Sequence, residues 1–278
     1  MAGEKVRYIR PKASRLELGL KEVLGYAELL YFLTWKQIKT KYKQTAIGVG
    51  WAVLQPLITT IIFALILYNP DVAGLRTPSG IEPIPFLFAG LMLWTFFSTT
   101  LNGASMSLVS NSAMITKIYF PRMLLPLSLV IAGLLDYGVA WVLFIIIVAL
   151  TNASVSVWMF LAIIPLVLTF LLSSGVSLFM SAMSAKYRDV QYIVPFFIQI
   201  LLFASPVLYS TNLIQNESLK WILYFNPLAG IMSAQRAFIF GTDLDLVMLG
   251  AATVLTLIVF FASLLYFKAY ERRLADVI

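Results

Sequence analysis

Apolar residues in this chain come in runs long enough to cross a lipid bilayer as helices, and no other feature narrows the fold as far. A hydrocarbon core of about 30 Å needs roughly 20 consecutive apolar residues. Six runs approach or reach that length: Ala46 to Tyr68, Pro85 to Leu101, Leu124 to Leu150, Val157 to Met183, Val190 to Tyr209 and Leu246 to Phe267. The second is the shortest and opens on a proline. In lipid every backbone N–H and C=O must be satisfied within the protein, so such runs fold as helices. Composition agrees, with 60% hydrophobic and 12% charged residues against about 25% charged in an average soluble domain. The expected fold class is all-α: a polytopic membrane protein with six transmembrane helices. Between the fifth and sixth runs, Leu213 to Phe240 is apolar but broken by Asn216, Glu217, Lys220, Asn226, Pro227 and Arg236. It reads as one or two short helices at the membrane surface or dipping partway in.

Charge gives the orientation. With the N-terminus inside, ten basic residues before Ala46, then Lys117 and Arg122, Lys186 and Arg188, and Lys268, Arg272 and Arg273 fall on inner segments. Only Arg76, Lys220 and Arg236 fall outside. Basic residues collect on the cytoplasmic side, so both termini are expected there. The stretch before Ala46 is charged and has no apolar core followed by a small-residue cleavage site, so no signal peptide is expected. The net charge of +7 sits beside the membrane rather than on a soluble module, which argues against nucleic acid as a partner and for membrane lipids. Cysteine and histidine are both absent. That removes disulfides, thiolate nucleophiles, the common metal ligands and the usual neutral-pH proton shuttle. No catalytic, cofactor-binding or metal-binding residues are expected.

Four local patterns go beyond spanning. Tyr31, Trp35, Ile38 and Tyr42 recur at helical spacing on one stripe, with Lys36, Lys39 and Lys43 on one flank and Lys41 on the other. Aromatics at the acyl boundary with lysines snorkelling beside them describe an amphipathic helix lying in the inner interface. The inner loop Ser107 to Pro126 is unusually apolar, bringing Met114, Ile115, Ile118, Tyr119 and Phe120 together. Such a loop suits a partner's docking site or an interface-hugging turn. In the fourth run Ser174, Ser177, Ser181 and Ser184 share a face beside Gly175, which favours close helix packing over a polar wall. Asp136 is the acidic residue well inside a run, where a carboxylate costs about 2.5 to 3.5 kcal/mol on insertion scales. It must face the bundle interior or water, as a structural post, a protonated acid or part of a substrate path.

No Gly-x-x-x-x-Gly-Lys-[Ser/Thr] phosphate loop occurs, so any ATP-driven work needs another polypeptide. The run from Leu33 to Pro56 resembles the start of the membrane subunit of bacterial ATP-binding-cassette polysaccharide exporters, the type 2 permease family with its O-antigen and teichoic acid exporters. Lys117 to Pro126, Lys186-Tyr-Arg-Asp189, Ser205-Pro-Val-Leu-Tyr209 and Asn226-Pro-Leu228 onward to Arg236 extend the likeness in the family's order. The resemblance implies that Tyr31, Trp35, Ile38 and Tyr42 mark the family's interface helix. It implies ATPase coupling through Met114, Ile115, Lys117, Tyr119, Phe120 and Arg122, with Lys186, Arg188 and Asp189 as a second contact, and makes Leu213 to Phe240 the outer gate helices. It implies an assembly of two permeases and two ATPases in the cytoplasmic (inner) membrane, with ATP and magnesium held by the partner and a lipid-linked polysaccharide as cargo. Trp51, Trp94, Phe97, Asp136, Tyr137 and Trp141 are candidates for the translocation path, since aromatic faces stack on sugar rings.

Residues 1–45 are thus expected to form a cytoplasmic segment with the interface helix, 46–268 the transmembrane domain and 269–278 a cytoplasmic tail. A teichoic acid or small lipophilic cargo is the alternative within the family. A polytopic glycan-modifying enzyme is disfavoured because the outer loops offer Asp71, Glu82, Glu217, Asp243 and Asp245 without histidine.

Overall fold

A computed structural model of the chain describes residues 20–43, 48, 50–69, 77–78, 81–211, 214 and 216–271. Ala46, Asp71, Arg76, Leu213, Arg272 and Arg273 lie outside the described residues. Among those described the protein is helical without strands. Twelve α-helices follow in order: α1 Leu20–Gly25, α2 Ala27–Tyr42, α3 Gly50–Leu67, α4 Pro83–Ser105, α5 Ser107–Ser110, α6 Ser112–Lys117, α7 Leu124–Thr151, α8 Ile163–Lys186, α9 Val190–Ala204, α10 Glu217–Tyr224, α11 Pro227–Phe240 and α12 Leu246–Glu271. A 3-10 turn, Val157–Ala162, leads directly into α8.

Among the described residues five helical stretches are long and apolar enough to cross a membrane: α3, α4, α7, the 3-10 turn with α8, and α12. The fifth expected span, Val190 to Tyr209, has a helix shorter than its apolar run. Its helix α9 stops at Ala204 after 15 residues, a rise of about 22 Å. Ser205 to Tyr209 turns instead, and the carbonyls of that turn have other work, described below.

The shortest apolar run turns out to be the centre of the bundle. Helix α4 extends past Leu101 to Ser105 and buries most of its residues, including Phe86, Phe88, Leu93, Phe96 and Phe97. Around it pack Val130 and Phe144 of α7 and Leu172 of α8. By contrast α3 buries only Pro56 and Thr60 and presents Ile58, Ile61, Ile62, Leu65 and Ile66 outward. Hydropathy cannot separate these cases, because a lipid-facing helix and a core helix are equally apolar.

Close helix approach is set by glycine. A Cβ on Gly175 of α8 would lie 2.8 Å from the Phe260 Cα of α12, so the two backbones touch and no larger residue fits. Ser174, Ser177, Ser181 and Ser184 are all buried on α8, as the packing reading of that stripe expects. Gly230 repeats the device, its missing Cβ falling 2.6 Å from the Met248 carbonyl oxygen.

The two ends of the bundle differ. One end, here the basic end, gathers α1, the start of α2, the α5–α6 loop, the start of α7 and the end of α12. A second core cluster holds them, built from Val23, Leu33, Leu108, Ile115, Phe120, Met123, Leu264 and Phe267. At the opposite end α11 lies almost wholly buried across α4, α8, α12 and the 3-10 turn, and this is the capped end. Asn226 caps the start of α11 by accepting from the Leu228 N–H, with Pro227 in the first turn, and Gly241 ends it in a left-handed conformation at φ 71°. Asp245 likewise caps α12, its carboxylate accepting from the Met248 N–H at 2.9 Å.

Candidate functional site

Helix α2 places its residues in two sets. Leu33 and Thr34 are buried against the bundle, whereas Tyr31 and Trp35 are exposed. Ile38 is half-buried. The exposed aromatics thus lie on the side turned away from the protein, with Lys36, Lys39 and Lys43 also exposed beside them. Tyr42 departs from the stripe. Its hydroxyl donates to Asp136 Oδ1, and the Lys41 ammonium bonds the other carboxylate oxygen. Burial first, then the hydrogen bond to that carboxylate, pushes the Tyr42 phenol above the ordinary tyrosine range, so it remains a proton donor.

These bonds tie the end of α2 to α7. Leu33 of α2 sits in the cluster at the start of α7, while Lys41 and Tyr42 reach Asp136, twelve residues further along α7. Helix α2 therefore packs along α7. Trp51, Ala52 and Gln55 at the start of α3 share a cleft with Asp136. Asp136 thus faces the first turns of α3 from the middle of α7. The cost of a carboxylate deep in a span is offset by its partners. Lys41 and Tyr42 supply the charge and the donor.

The expected path residues separate. Trp51, Asp136 and Tyr137 line the cleft between α2, α3, α4 and α7, with Gln55, Thr95 and Thr99 beside them. Trp94 and Phe97 are buried core residues, and Trp141 packs edge-on against Tyr137 and Phe144. The structure therefore does not bring the six together on one wall. Tyr137 also turns inward, its hydroxyl donating to Gln235 Oε1 at 3.3 Å, and Gln235 Nε2 in turn donates to the Ala89 carbonyl at 2.9 Å.

The loop at the basic end separates in a similar way. Ile115 and Phe120 are buried anchors and Met114 is half-buried, whereas Ile118 and Tyr119 project outward, Tyr119 at 85% exposure. Lys117 is exposed. Arg122 is engaged within the chain: its backbone N–H donates to Glu271 Oε1 at 2.9 Å and its Nη1 to the Glu271 carbonyl at 3.1 Å. Lys268 joins the knot through Glu271 and Glu22, both at 3.0 Å. Arg122 is thus a brace between this loop and the end of α12. Lys186, Tyr187, Arg188 and Asp189 are all exposed on the neighbouring turn, with the Lys186 ammonium 4.7 Å from the centre of the Tyr187 ring.

Sequence reasoning gave Arg236 no role of its own, yet it is the most fully engaged side chain at the capped end. At 5% exposure its guanidinium donates to the carbonyls of Phe86 (3.3 Å), Pro206 (2.6 Å), Tyr209 (2.9 Å) and Val207 (2.5 Å). It also lies 3.9 Å from the centre of the Phe86 ring. Planar, forked donors suit such a cage of carbonyls, and the ring face adds a cation–π contact. Asn226 Nδ2 donates to Ser205 Oγ at 2.9 Å and the Tyr68 hydroxyl to the Leu208 carbonyl at 3.0 Å. The turn after α9 is therefore held from α3, α4 and α11 together. A basic residue in the broken apolar segment was the available signal, but nothing local says that its partners are neutral carbonyls.

Among the described residues no group of three or more acidic, cysteine or histidine side chains is placed to hold a metal ion. The chain matches the family described as ABC-2 type transporter over residues 28–240. It is 26% identical over 265 residues to the O-antigen export system permease protein RfbA of Myxococcus xanthus, covering 93% of this chain and 98% of that one. It is 31% identical over 234 residues to the Klebsiella pneumoniae protein of the same name, covering 82% and 86%. The polysialic acid transport protein KpsM of Escherichia coli is 25% identical over 249 residues, 85% of this chain and 91% of that one. The matched stretch contains the cleft, the exposed loop and the Arg236 cage alike, and on that ground the chain belongs to the ABC-2 type transporter family.

Proposed function

We propose that this protein is the permease subunit of an ATP-driven exporter that carries a lipid-linked polysaccharide of the O-antigen type across the cytoplasmic (inner) membrane. The observation that carries this reading is likeness to O-antigen export permeases along nearly the whole chain. In this reading the chain is a transport subunit and not an enzyme, and a separate ATPase subunit binds ATP and magnesium. Two permeases and two ATPases assemble, with α9 as a sixth span and both termini in the cytoplasm.

The loop at the basic end supports the docking role. Exposed Ile118 and Tyr119 stand on a base fixed by buried Ile115 and Phe120, which is the construction a docking knob needs: apolar contact surface on rigid footing. The exposed turn Lys186 to Asp189 offers charges for a second contact. ATP-driven closure of the partner would then move the spans through this end.

Two measurements test the reading. Tagged chain purified from its native cell is expected to retain an ATPase subunit, and cells deprived of the chain are expected to lose surface polysaccharide while its lipid-linked precursor accumulates inside. A chain that never retains an ATPase, or cells whose surface polymer is unchanged, would sink the proposal. Charge reversal at Arg122, a natural first choice, perturbs the Glu271 knot as well as docking. Tyr119→Ala is the cleaner probe.

A further inference from the structure

Two pairs of sequence neighbours meet inside the bundle. On α7, Asp136 is held by Lys41 and Tyr42 of α2, and the next residue, Tyr137, donates its hydroxyl to Gln235 Oε1 of α11 at 3.3 Å. On α11, the residue after Gln235 is Arg236, the centre of the carbonyl cage. Burial fixes the sense of the bond that joins the pairs. Tyr137 and Gln235 are both buried, so neither can turn to water instead. Gln235 Nε2 donates to the Ala89 carbonyl at 2.9 Å, which leaves Oε1 as the acceptor and the Tyr137 hydroxyl as its donor. Moving that hydroxyl away strands a buried acceptor. Phe96 and Trp141 meet the Tyr137 ring edge-on, so the ring follows α7 rather than turning by itself.

Arg236 grips the same turn of α4 as Gln235. Its Nε donates to the Phe86 carbonyl, three residues before Ala89. A Cβ on Gly90 would strike the guanidinium and lie 2.7 Å from the Val207 carbonyl oxygen, so α4, Arg236 and the turn after α9 meet here without a cushion. Gln235 and Arg236 are adjacent on one helix of 14 residues and move as a unit. A displacement of α11 that frees Arg236 from its carbonyls therefore also pulls Gln235 from Tyr137.

We infer that Tyr137 and Gln235 form an interlock: the hold of α2 on Asp136 fixes Tyr137, and Tyr137, through Gln235, keeps the Arg236 cage shut. Both are positioning residues. The interlock belongs to the chain by itself, and it rests on the exporter reading only for its use, which is to keep the capped end closed until α2 shifts on α7.

The chain has no cysteine, so one introduced thiol reports on one place. Val207→Cys puts it in the caged turn, where the Val207 side chain is fully buried, and its rate of maleimide labelling in the full chain in nanodiscs measures cage opening. Arg236→Lys weakens the cage directly and should speed labelling. Asp136→Asn should speed it about fivefold in the otherwise unchanged chain, but less than about twofold when Tyr137→Phe and Gln235→Leu are both present. That double variant replaces two hydrogen-bonded partners with apolar groups of similar shape, which preserves the fold while cutting the link. Lys41→Met breaks the same ion pair from its half-exposed side and should repeat the pattern, so a folding defect of any one variant does not decide the outcome. Equal acceleration with and without the link, no acceleration by either Asp136→Asn or Lys41→Met, or a thiol that Arg236→Lys leaves unreactive would each overturn the interlock. Failure of the exporter reading shows up separately, as surface polysaccharide that persists in cells lacking the chain, and leaves the labelling result standing.

Discussion

The basic end and the capped end are both held by cations, but the cations have different partners. At the basic end Lys268 meets Glu22 and Glu271, and further along α7 Lys41 meets Asp136. These side chains keep contact with water, Lys41 at 50% exposure and Glu22 at 40%. At the capped end Arg236 is buried and held by neutral carbonyls. Ion pairs near water exchange partners at small cost because solvent takes up either charge when they part. A buried guanidinium has no such alternative, and separating it strands several carbonyls at once. The difference teaches that the two ends suit different tasks. The end proposed to receive an ATPase is assembled from replaceable contacts, and the opposite end from a single cage that opens all together or stays shut.

The largest effect is expected from Arg236→Ala, which leaves the carbonyls of Phe86, Pro206, Val207 and Tyr209 without that donor. A loss above about 3 kcal/mol, read as a fall of roughly 10 °C in melting temperature, would be measured on detergent-solubilised protein. Arg236→Lys keeps the charge but not the fork and should recover only part of it. If alanine melts like wild type, the cage is not what holds the capped end.

Gly175→Leu comes next, since its Cβ would lie 2.8 Å from the Phe260 Cα and α8 and α12 must part. Overpacking of this kind costs about 1 to 3 kcal/mol, visible as a lower denaturation midpoint. Asp136→Asn keeps an acceptor for Tyr42 but loses the charge facing Lys41, and should cost only about 1 kcal/mol. High salt should narrow the gap between wild type and this variant while leaving the Arg236 defect unchanged. Equal salt responses would erase the contrast between part-exposed ion pairs and the buried cage. Smallest in stability is Tyr119→Ala at the exposed tip of the loop, expected within about 0.5 kcal/mol of wild type. Its effect should appear as reduced recovery of the ATPase partner in co-purification.

Much of the fold is legible in the order of residues. Helix α7 begins at Leu124, where its apolar run begins, and the apolar run from Leu246 lies within α12. The serine face of α8 is buried, as small residues beside a glycine imply. The centrality of α4 is not legible, because nothing in hydropathy distinguishes a neighbour made of lipid from one made of protein. The partner of Asp136 is not legible either: Lys41 lies 95 residues away in sequence, and only the packing of α2 against α7 brings them together. For the loop residues Met114 to Arg122, composition identified the patch but not its division into buried anchors, an exposed tip and a brace. That division depends on which residues face the second cluster under the loop.

The close approach at Gly175 has a mechanical consequence. Backbones in contact leave no side-chain cushion to absorb a displacement, so α8 and α12 form one stiff strut. Its foot is tied to the loop through Glu271 and Arg122, and its head abuts α11 at Gly230 and Met248. A thrust on Tyr119 therefore has an unbroken solid route to the helix that carries Arg236. The slender α3, by contrast, is the span with the smallest share of its surface buried.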